Sequence, residues 1–205
     1  MKRLVRLVMV AVFAVVGVVN ADATTIALPT DGTWLPFDVS TDVAVSGGKE
    51  WIDLNYNNDG SALAFAFTIA PGFIGQLTVV DTSFAGDTFA VFNNATSLGS
   101  TSPVLPQTDV TAPLQFDPDL ALANLAFSRL RVALGAGTYV ISGALVQSVT
   151  DSASSAPLNT TSGDIRVTAS PIPEPGTWAT LLAGLGLLSV YARRRIAGAD
   201  HSSAS

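Results

Sequence analysis

The stretch Leu63-Ala64-Phe65-Ala66-Phe67-Thr68-Ile69 alternates large apolar side chains with small ones at a period of two. On an extended strand that period sets Leu63, Phe65, Phe67 and Ile69 on one face, whereas a 3.6-residue helix would scatter them around its circumference. The same beat returns in Leu130, Val132 and Leu134, whose neighbours Arg129 and Arg131 share the solvent face. It returns again in Tyr139, Ile141, Gly143 and Leu145, and Ile165 and Val167 flank Arg166. Shorter candidate strands run from Trp51 to Tyr56, Gln76 to Asp81 and Thr88 to Asn93. Between them stand turn-forming clusters: Asn57-Asn58-Asp59-Gly60, Pro71-Gly72, Ala85-Gly86-Asp87, Gly135-Ala136-Gly137 and Ser162-Gly163-Asp164. Short strands so punctuated predict a mainly β domain, an antiparallel sandwich or jelly roll. The one helical segment expected in this body is Pro118 to Leu125, with Asp117 as its cap and Pro118 at the first helical position.

Several chemistries are absent from the outset. The chain has no cysteine, so disulfides, thiolate metal sites and cysteine nucleophiles are excluded. Its single histidine, His201, lies near the C-terminus, which leaves no Ser-His-Asp triad or histidine metal centre for the body. No phosphate loop, dinucleotide fingerprint or nucleophile elbow occurs. A glycosidase needs two carboxyls at a defined separation, and no spacing singles out a pair from Glu50 and the aspartates. The chain is therefore expected not to be an enzyme, and no cofactor is expected.

The two ends have a different character. Lys2, Arg3 and Arg6 precede an apolar run from Leu7 to Val19, followed by the small-residue exit Asn20-Ala21-Asp22-Ala23. This is the layout of a secretory signal peptide, with cleavage after Ala21 or Ala23, and residues 1–23 are read as such. Near the other end, Thr177 to Tyr191 carries no charge. At 1.5 Å per residue this run covers roughly 23 Å, short of the ~30 Å hydrocarbon core, but flanking Trp178, Tyr191 and arginines extend its reach. Arg193, Arg194 and Arg195 follow at once, and the positive-inside rule places them in the cytoplasm with the rest of the chain outside. A transmembrane helix is thus expected over 177–192, with a basic tail over 193–205.

Immediately before that run stands Pro171-Ile172-Pro173-Glu174-Pro175-Gly176, whose prolines hold the chain extended. Pro173-Glu174-Pro175, a short apolar helix with glycines, and the cluster Arg193 to Arg195 together resemble the PEP-CTERM sorting signal. The resemblance covers about thirty residues and departs from the family only in a longer tail, Ile196 to Ser205. It implies export in a Gram-negative bacterium, a membrane-anchored precursor and processing by an exosortase, after a signal peptidase has acted. It also implies a setting of exopolysaccharide and biofilm. Pro173, Glu174 and Pro175 would then be the sorting motif, and the three arginines would fix topology. A second likeness, in Gly86-Asp87-Thr88-Phe89-Ala90-Val91 and Gly137-Thr138-Tyr139, is to the extracellular β-sandwich modules of many PEP-CTERM proteins. It implies fold and surface location and carries no catalytic residues.

The exported part, residues 24–170, has four basic residues, Lys49, Arg129, Arg131 and Arg166, against twelve Asp and Glu50, a balance of −9. Such a domain repels nucleic acid, and it repels anionic polysaccharide unless cations bridge the two. Asp53 to Gly60 presents oxygen side chains at alternate positions, as a calcium loop does. It lacks the EF-hand glycine and glutamate, so a hairpin turn is preferred. Asp81, Asp87, Asp117 and Asp119 form a second oxygen set, for which turn and cap roles are preferred; no metal is expected. Trp34, Trp51, Tyr56 and Tyr139 would make a sugar-stacking platform if exposed on one face, and core residues otherwise. Ser148 to Ser162 reads as a flexible loop, with Asn159 as a possible modification site. The leading expectation is a non-catalytic structural or interaction domain at the cell surface or in the matrix. The alternatives are a carbohydrate-binding module tied to exopolysaccharide and, third, a polysaccharide hydrolase.

Overall fold

The computed structural model describes residues 23–173, 176, 180–189 and 191. In chain order the elements are β1 (Thr24–Ala27), β2 (Leu35–Ser40), β3 (Leu63–Ile69), β4 (Phe73–Phe84), β5 (Thr88–Asn93) and β6 (Thr96–Ser100). They continue with β7 (Leu114–Gln115), α1 (Pro118–Ala123), β8 (Arg129–Leu134), β9 (Gly137–Gln147) and β10 (Thr160–Pro171). One sheet has the order β1-β3-β9-β5-β6. The other runs β2-β10-β4, with β8 pairing β4 over Gly75 to Val80 and β7 pairing its end at Ser83 and Phe84. With β1 and β7 set aside, every strand but one is followed by a strand of the opposite sheet. The exception is the β5–β6 hairpin, so the two four-stranded orders are those of a jelly roll. The expected fold is therefore present, with one departure from antiparallel pairing. β1 lies parallel to β3, Thr24 opposite Leu63, because it enters along the free edge of its sheet after no hairpin.

Alternation does the sorting of side chains. Phe37, Val39, Leu77, Val79, Ile165 and Val167 from the second sheet meet Phe65, Phe67, Phe89, Val91, Ile141 and Leu145 from the first. At the centre Trp51 stacks on Phe37, ring centroids 3.9 Å apart and planes inclined by 21°. A glycine backs each ring. An added Cβ at Gly143 of β9 would lie 2.3 Å from Trp51 Cε2, and one at Gly163 of β10 would lie 2.3 Å from Phe37 Cζ. Two rings therefore fit between the sheets only because each sheet is thinned opposite them.

That packing corrects two expectations. Ser162-Gly163-Asp164 is no turn but lies inside β10, where Gly163 makes room for Phe37. Trp51 to Tyr56 is no strand either. Only Ile52 forms bridges, to Asp38 and Ala62, and the chain then coils around the buried Asp53 carboxylate, which accepts from the backbone N–H groups of Tyr56 and Asn57. Asn57 to Gly60 still reverses the chain as a short hairpin, with Leu63 N–H donating to the Trp51 carbonyl, Asp53 N–H to that of Ser61 and Ile52 bridging Ala62 antiparallel. The stretch from Ser148 is also more ordered than a flexible loop: Asp151 accepts from Ala153 and Ser154, Leu158 N–H donates to Val149, and β10 has begun by Thr160.

The helix forms as expected. Asp117 caps α1, accepting from the N–H groups of Asp119 and Leu120, and Pro118 begins it. Ala121 and Leu122 pack with Phe127 on Val80, so α1 covers part of the outer face of the second sheet. Backbone at 180–189 is helical and exposed. Among the described residues no helix is long and apolar enough to cross a membrane.

Candidate functional site

The outer face of the second sheet beyond α1 carries a groove of about 440 Å³. Its floor follows from strand register. Arg166 of β10 pairs with Thr78 of β4, which pairs with Arg131 of β8, so the three side chains stand in one row across the sheet. At about 4.8 Å between strands, the two arginine backbones are roughly 10 Å apart. A second row holds Thr168, Gln76 and Ala133, and a third Ser170 and Ile74. No acidic side chain lines the groove.

Arg166 is held in place. Its guanidinium lies 4.2 Å from the centre of the Trp34 ring, and Nη1 donates to Asp119 Oδ1 of α1 at 3.0 Å. Arg131 is exposed, and among the described residues its side chain makes no hydrogen bond or ion pair. The expectation that Arg129 and Arg131 share a solvent face needs refining. Arg129 is taken up by structure, its guanidinium donating to the carbonyls of Leu122, Asn124 and Phe127, where it pins the segment after α1. Two basic side chains thus line one groove in a domain that is acidic elsewhere.

Apart from Asp119, the acids of this face gather beyond Arg166. On the same outer face Asp164 accepts from Thr82 Oγ1 at 3.2 Å, and Asp38 accepts from Asn55 Nδ2. Burial raises Asp164 to about 6, aided by the nearby Asp38 and Asp117 charges and opposed by the Thr82 hydrogen bond. Burial likewise raises Asp38, and pushes Tyr56 up to about 12. Among the described residues no group of three or more acidic or histidine side chains is disposed to hold a metal ion. Of the second oxygen set, Asp117 caps α1 and Asp119 holds Arg166, leaving Asp81 and Asp87 together at the β4–β5 turn.

The aromatic platform does not form. Trp51 is fully buried, Tyr139 stacks on Phe67, Tyr56 packs against Phe65, and Trp34 lies under Arg166. Glu50 bridges Ala144 of β9 and accepts from Ser46, and among the described residues no other acid lines the cleft beside it.

The C-terminal segment leaves directly from the sheet. Pro171, the last residue of β10, pairs with Phe73, and Ile172 N–H donates to the Gly72 carbonyl at 2.8 Å. Pro173 follows, exposed. Glu174, Pro175, Arg193, Arg194 and Arg195 lie outside the described residues, as does Ala21. Ala23 is exposed, one residue before β1.

Fold and exit together define a class: a jelly-roll domain joined without a spacer to a C-terminal segment. That segment, residues 171–195, matches the family described as the PEP-CTERM protein-sorting motif. The chain carries this sorting motif, which implies export, a membrane-anchored precursor and processing by an exosortase. No curated protein matches the chain. Among solved structures it is similar to the pre-peptidase C-terminal domain of collagenase from Bacillus anthracis, at 9% identity and a TM-score of 0.35, over 72% of this chain and 95% of that one. A likeness that loose carries no argument about function.

Proposed function

We propose that this chain is an exported, exosortase-sorted surface protein whose jelly roll is a non-catalytic module binding acidic extracellular polysaccharide. The observation that carries the reading is the row Arg131, Thr78, Arg166, cation, hydroxyl, cation, in which Arg131 is the cation left open and Arg166 is steadied by Asp119 from α1. Guanidinium groups take carboxylates as planar, bidentate partners, and two arginines on strands whose backbones lie roughly 10 Å apart can meet separate sugars of one chain. Thr168, Gln76 and Ser170 supply hydroxyl and amide partners for the sugars between. The acidic remainder of the domain then repels the same polymer, which confines it to this face. Residues 1–23 act as the signal peptide, removed by signal peptidase after Ala21 or Ala23, and either cut leaves β1 whole. The segment 177–192 anchors the precursor, with Arg193 to Arg195 on the cytoplasmic side. Exosortase then acts near Pro173, Glu174 and Pro175, delivering the domain to the cell surface or matrix.

The test is affinity electrophoresis of the full chain in detergent through gels containing a polyuronate or a neutral glucan. Retardation by the polyuronate alone, weakened by added salt and lost in R131A, is the expected result. Equal retardation by both polymers, or an R131A variant that migrates as the parent does, overturns the reading. Arg131 is the informative position because its side chain has no partner to lose among the described residues.

A further inference from the structure

The opposite end of the core holds two carboxylates that the groove does not use. Asp81 is fully buried on the inward face of β4, opposite Gly163, and Asp87 is 1% exposed in the β4–β5 turn. Asp81 Oδ2 accepts from Gly86 N–H at 3.3 Å, and Asp87 Oδ1 accepts from Val149 N–H at 2.7 Å. Asp81 Oδ1 has no partner. Nor has Thr161 Oγ1, on the inward face of β10, although its hydroxyl lies close enough to favour the ionised form of Asp87. Asn159 Oδ1, buried two residues upstream, is unpartnered as well. Its segment is tied to the same place, since Leu158 N–H donates to Val149, whose own N–H reaches Asp87.

A buried carboxylate needs donors or a counter-charge. Backbone N–H groups of Gly86, Asp87 and Ser128 favour the Asp81 carboxylate, and Val149 N–H and the Thr161 hydroxyl favour Asp87. Asp81 Oδ1 still lacks a partner, and among the described residues no cationic side chain bridges either acid; the ion pair there is Arg166 with Asp119. The other acidic cluster differs on this point. Asp38 accepts from Asn55, Asp53 from Tyr56 and Asn57, and Asp164 from Thr82.

We propose that Asp81 and Asp87, with the Thr161 hydroxyl and the Asn159 side-chain oxygen, form a buried calcium site that ties the β4–β5 turn to the start of β10. The donors are all oxygen, with no nitrogen or sulfur, which selects hard cations. Two carboxylates balance a divalent charge, and the mixture of carboxylate, hydroxyl and amide oxygens suits the flexible geometry of calcium better than the strict octahedron of magnesium. Without a metal, two carboxylates stand together in the core, and among the described residues no cationic side chain lies between them. With two carboxylates rather than three or four, the affinity belongs in the range of extracellular modules, about 10⁻⁴–10⁻³ M. The site is independent of the polysaccharide reading.

The test follows thermal unfolding of the EDTA-treated full chain in detergent at pH 7.5, against calcium or magnesium chloride. Calcium at about a hundredfold excess over its Kd should raise the melting temperature by roughly 5–10 °C, with little effect of magnesium. D81N, an isosteric change, should melt higher than the parent without metal and lose the calcium response. T161V should shift the calcium midpoint to higher concentration, and keeps the test open if D81N folds poorly. D164N, in the other acidic cluster, should retain the full response. A melting temperature indifferent to calcium overturns the proposal, as does a response that survives T161V unchanged or disappears in D164N.

Discussion

Adding one methyl group at Gly143 should cost this protein as much as deleting a large core side chain. The Cβ of G143A would lie 2.3 Å from Trp51 Cε2, 2.4 Å from Cζ2 and 2.8 Å from the Ala90 carbonyl oxygen. Carbon pairs settle at 3.5–4.0 Å, so the indole must retreat by roughly 1.2 Å or more. It has nowhere to go. Phe37 is stacked behind it at 3.9 Å, and the far side of Phe37 is closed by Gly163, whose own Cβ position is 2.3 Å from Cζ. Phe89 blocks sideways escape, edge-on to Phe37 at 5.1 Å and to Trp51 at 6.5 Å. Overpacking of a closed core costs about 1–3 kcal/mol, and with both walls backbone the upper end applies, about 3 kcal/mol for G143A and for G163A. Urea denaturation followed by circular dichroism measures this directly. The same loss should lower the melting temperature by roughly 6–12 °C. W51F withdraws Cζ2 and also removes an indole N–H that is buried without a partner, so W51F/G143A should recover at least half of the penalty. A loss below about 1 kcal/mol in G143A, or strict additivity with W51F, refutes the picture of two rings clamped between two thinned sheets.

Other outcomes follow from the same geometry. Asp164 rises from 3.8 to about 6 chiefly through burial, so the folded state holds its proton more tightly than the unfolded chain does. Stability from this group is full below pH 3.8 and falls as pH rises to about 6. D164N should therefore gain about 3 kcal/mol at pH 8 and almost nothing at pH 3.5, read by urea denaturation at the two pH values; an equal effect at both would contradict the burial argument. D117A should cost about 1 kcal/mol, because two N–H groups of α1 lose their acceptor, and Arg166 loses part of its support as the helix frays. Ala95 holds φ at 65° beside Asn94 at 45° in the β5–β6 turn, a left-handed pair that glycine adopts without penalty. A95G should stabilise by about 1 kcal/mol, and a destabilised variant would show that the turn is shaped by something other than backbone preference.

Where the core dictates alternation, the sequence is legible to the residue. Leu63 to Ile69 and Arg129 to Leu134 match their strands because the inward side chains are large and the outward ones small or polar; Thr88 to Asn93 matches on Phe89 and Val91 alone, since Phe92 faces out. β2 has the same beat in Leu35, Phe37 and Val39, but Pro36 masks it; proline is tolerated there because β2 is an edge strand. Gly163 misled for the opposite reason. Glycine between serine and aspartate is a turn signal in isolation, and only Phe37, far away in sequence, explains its place in a strand. Trp51 to Tyr56 failed because Asp53 captures the following N–H groups, a local competition that alternation does not reveal. The groove was half legible: Arg131 and Arg166 were each placed beside inward apolar residues, but their common row with Thr78 depends on register across three strands. Asp81 and Asp87 are two of four aspartates that sequence alone leaves together, and topology separates them from Asp117 and Asp119, which serve the helix and Arg166.

The position of β10 limits where sorting can cut. It is an interior strand, paired with β2 from Thr160 to Ile165 and with β4 from Ser162 to Pro171. Its side chains Ile165 and Val167 are in the core, so the second sheet closes only after residues up to about 171 have reached the outside. Folding is thus complete only when the sorting segment itself is at the membrane. A chain ending before Thr160 would leave β2 and β4 as two open edges and expose the core; it should aggregate rather than melt cooperatively. A chain ending at Pro173 keeps every pair of β10 and the Ile172 contact to Gly72, and should melt as the full domain does. Processing that yields a folded product must therefore fall after Ile172. Intact mass of the mature protein reads this directly: an end at Pro173 or beyond fits, whereas an end upstream of Ala169 would mean that the strand is expendable and that the jelly roll is not what leaves the membrane.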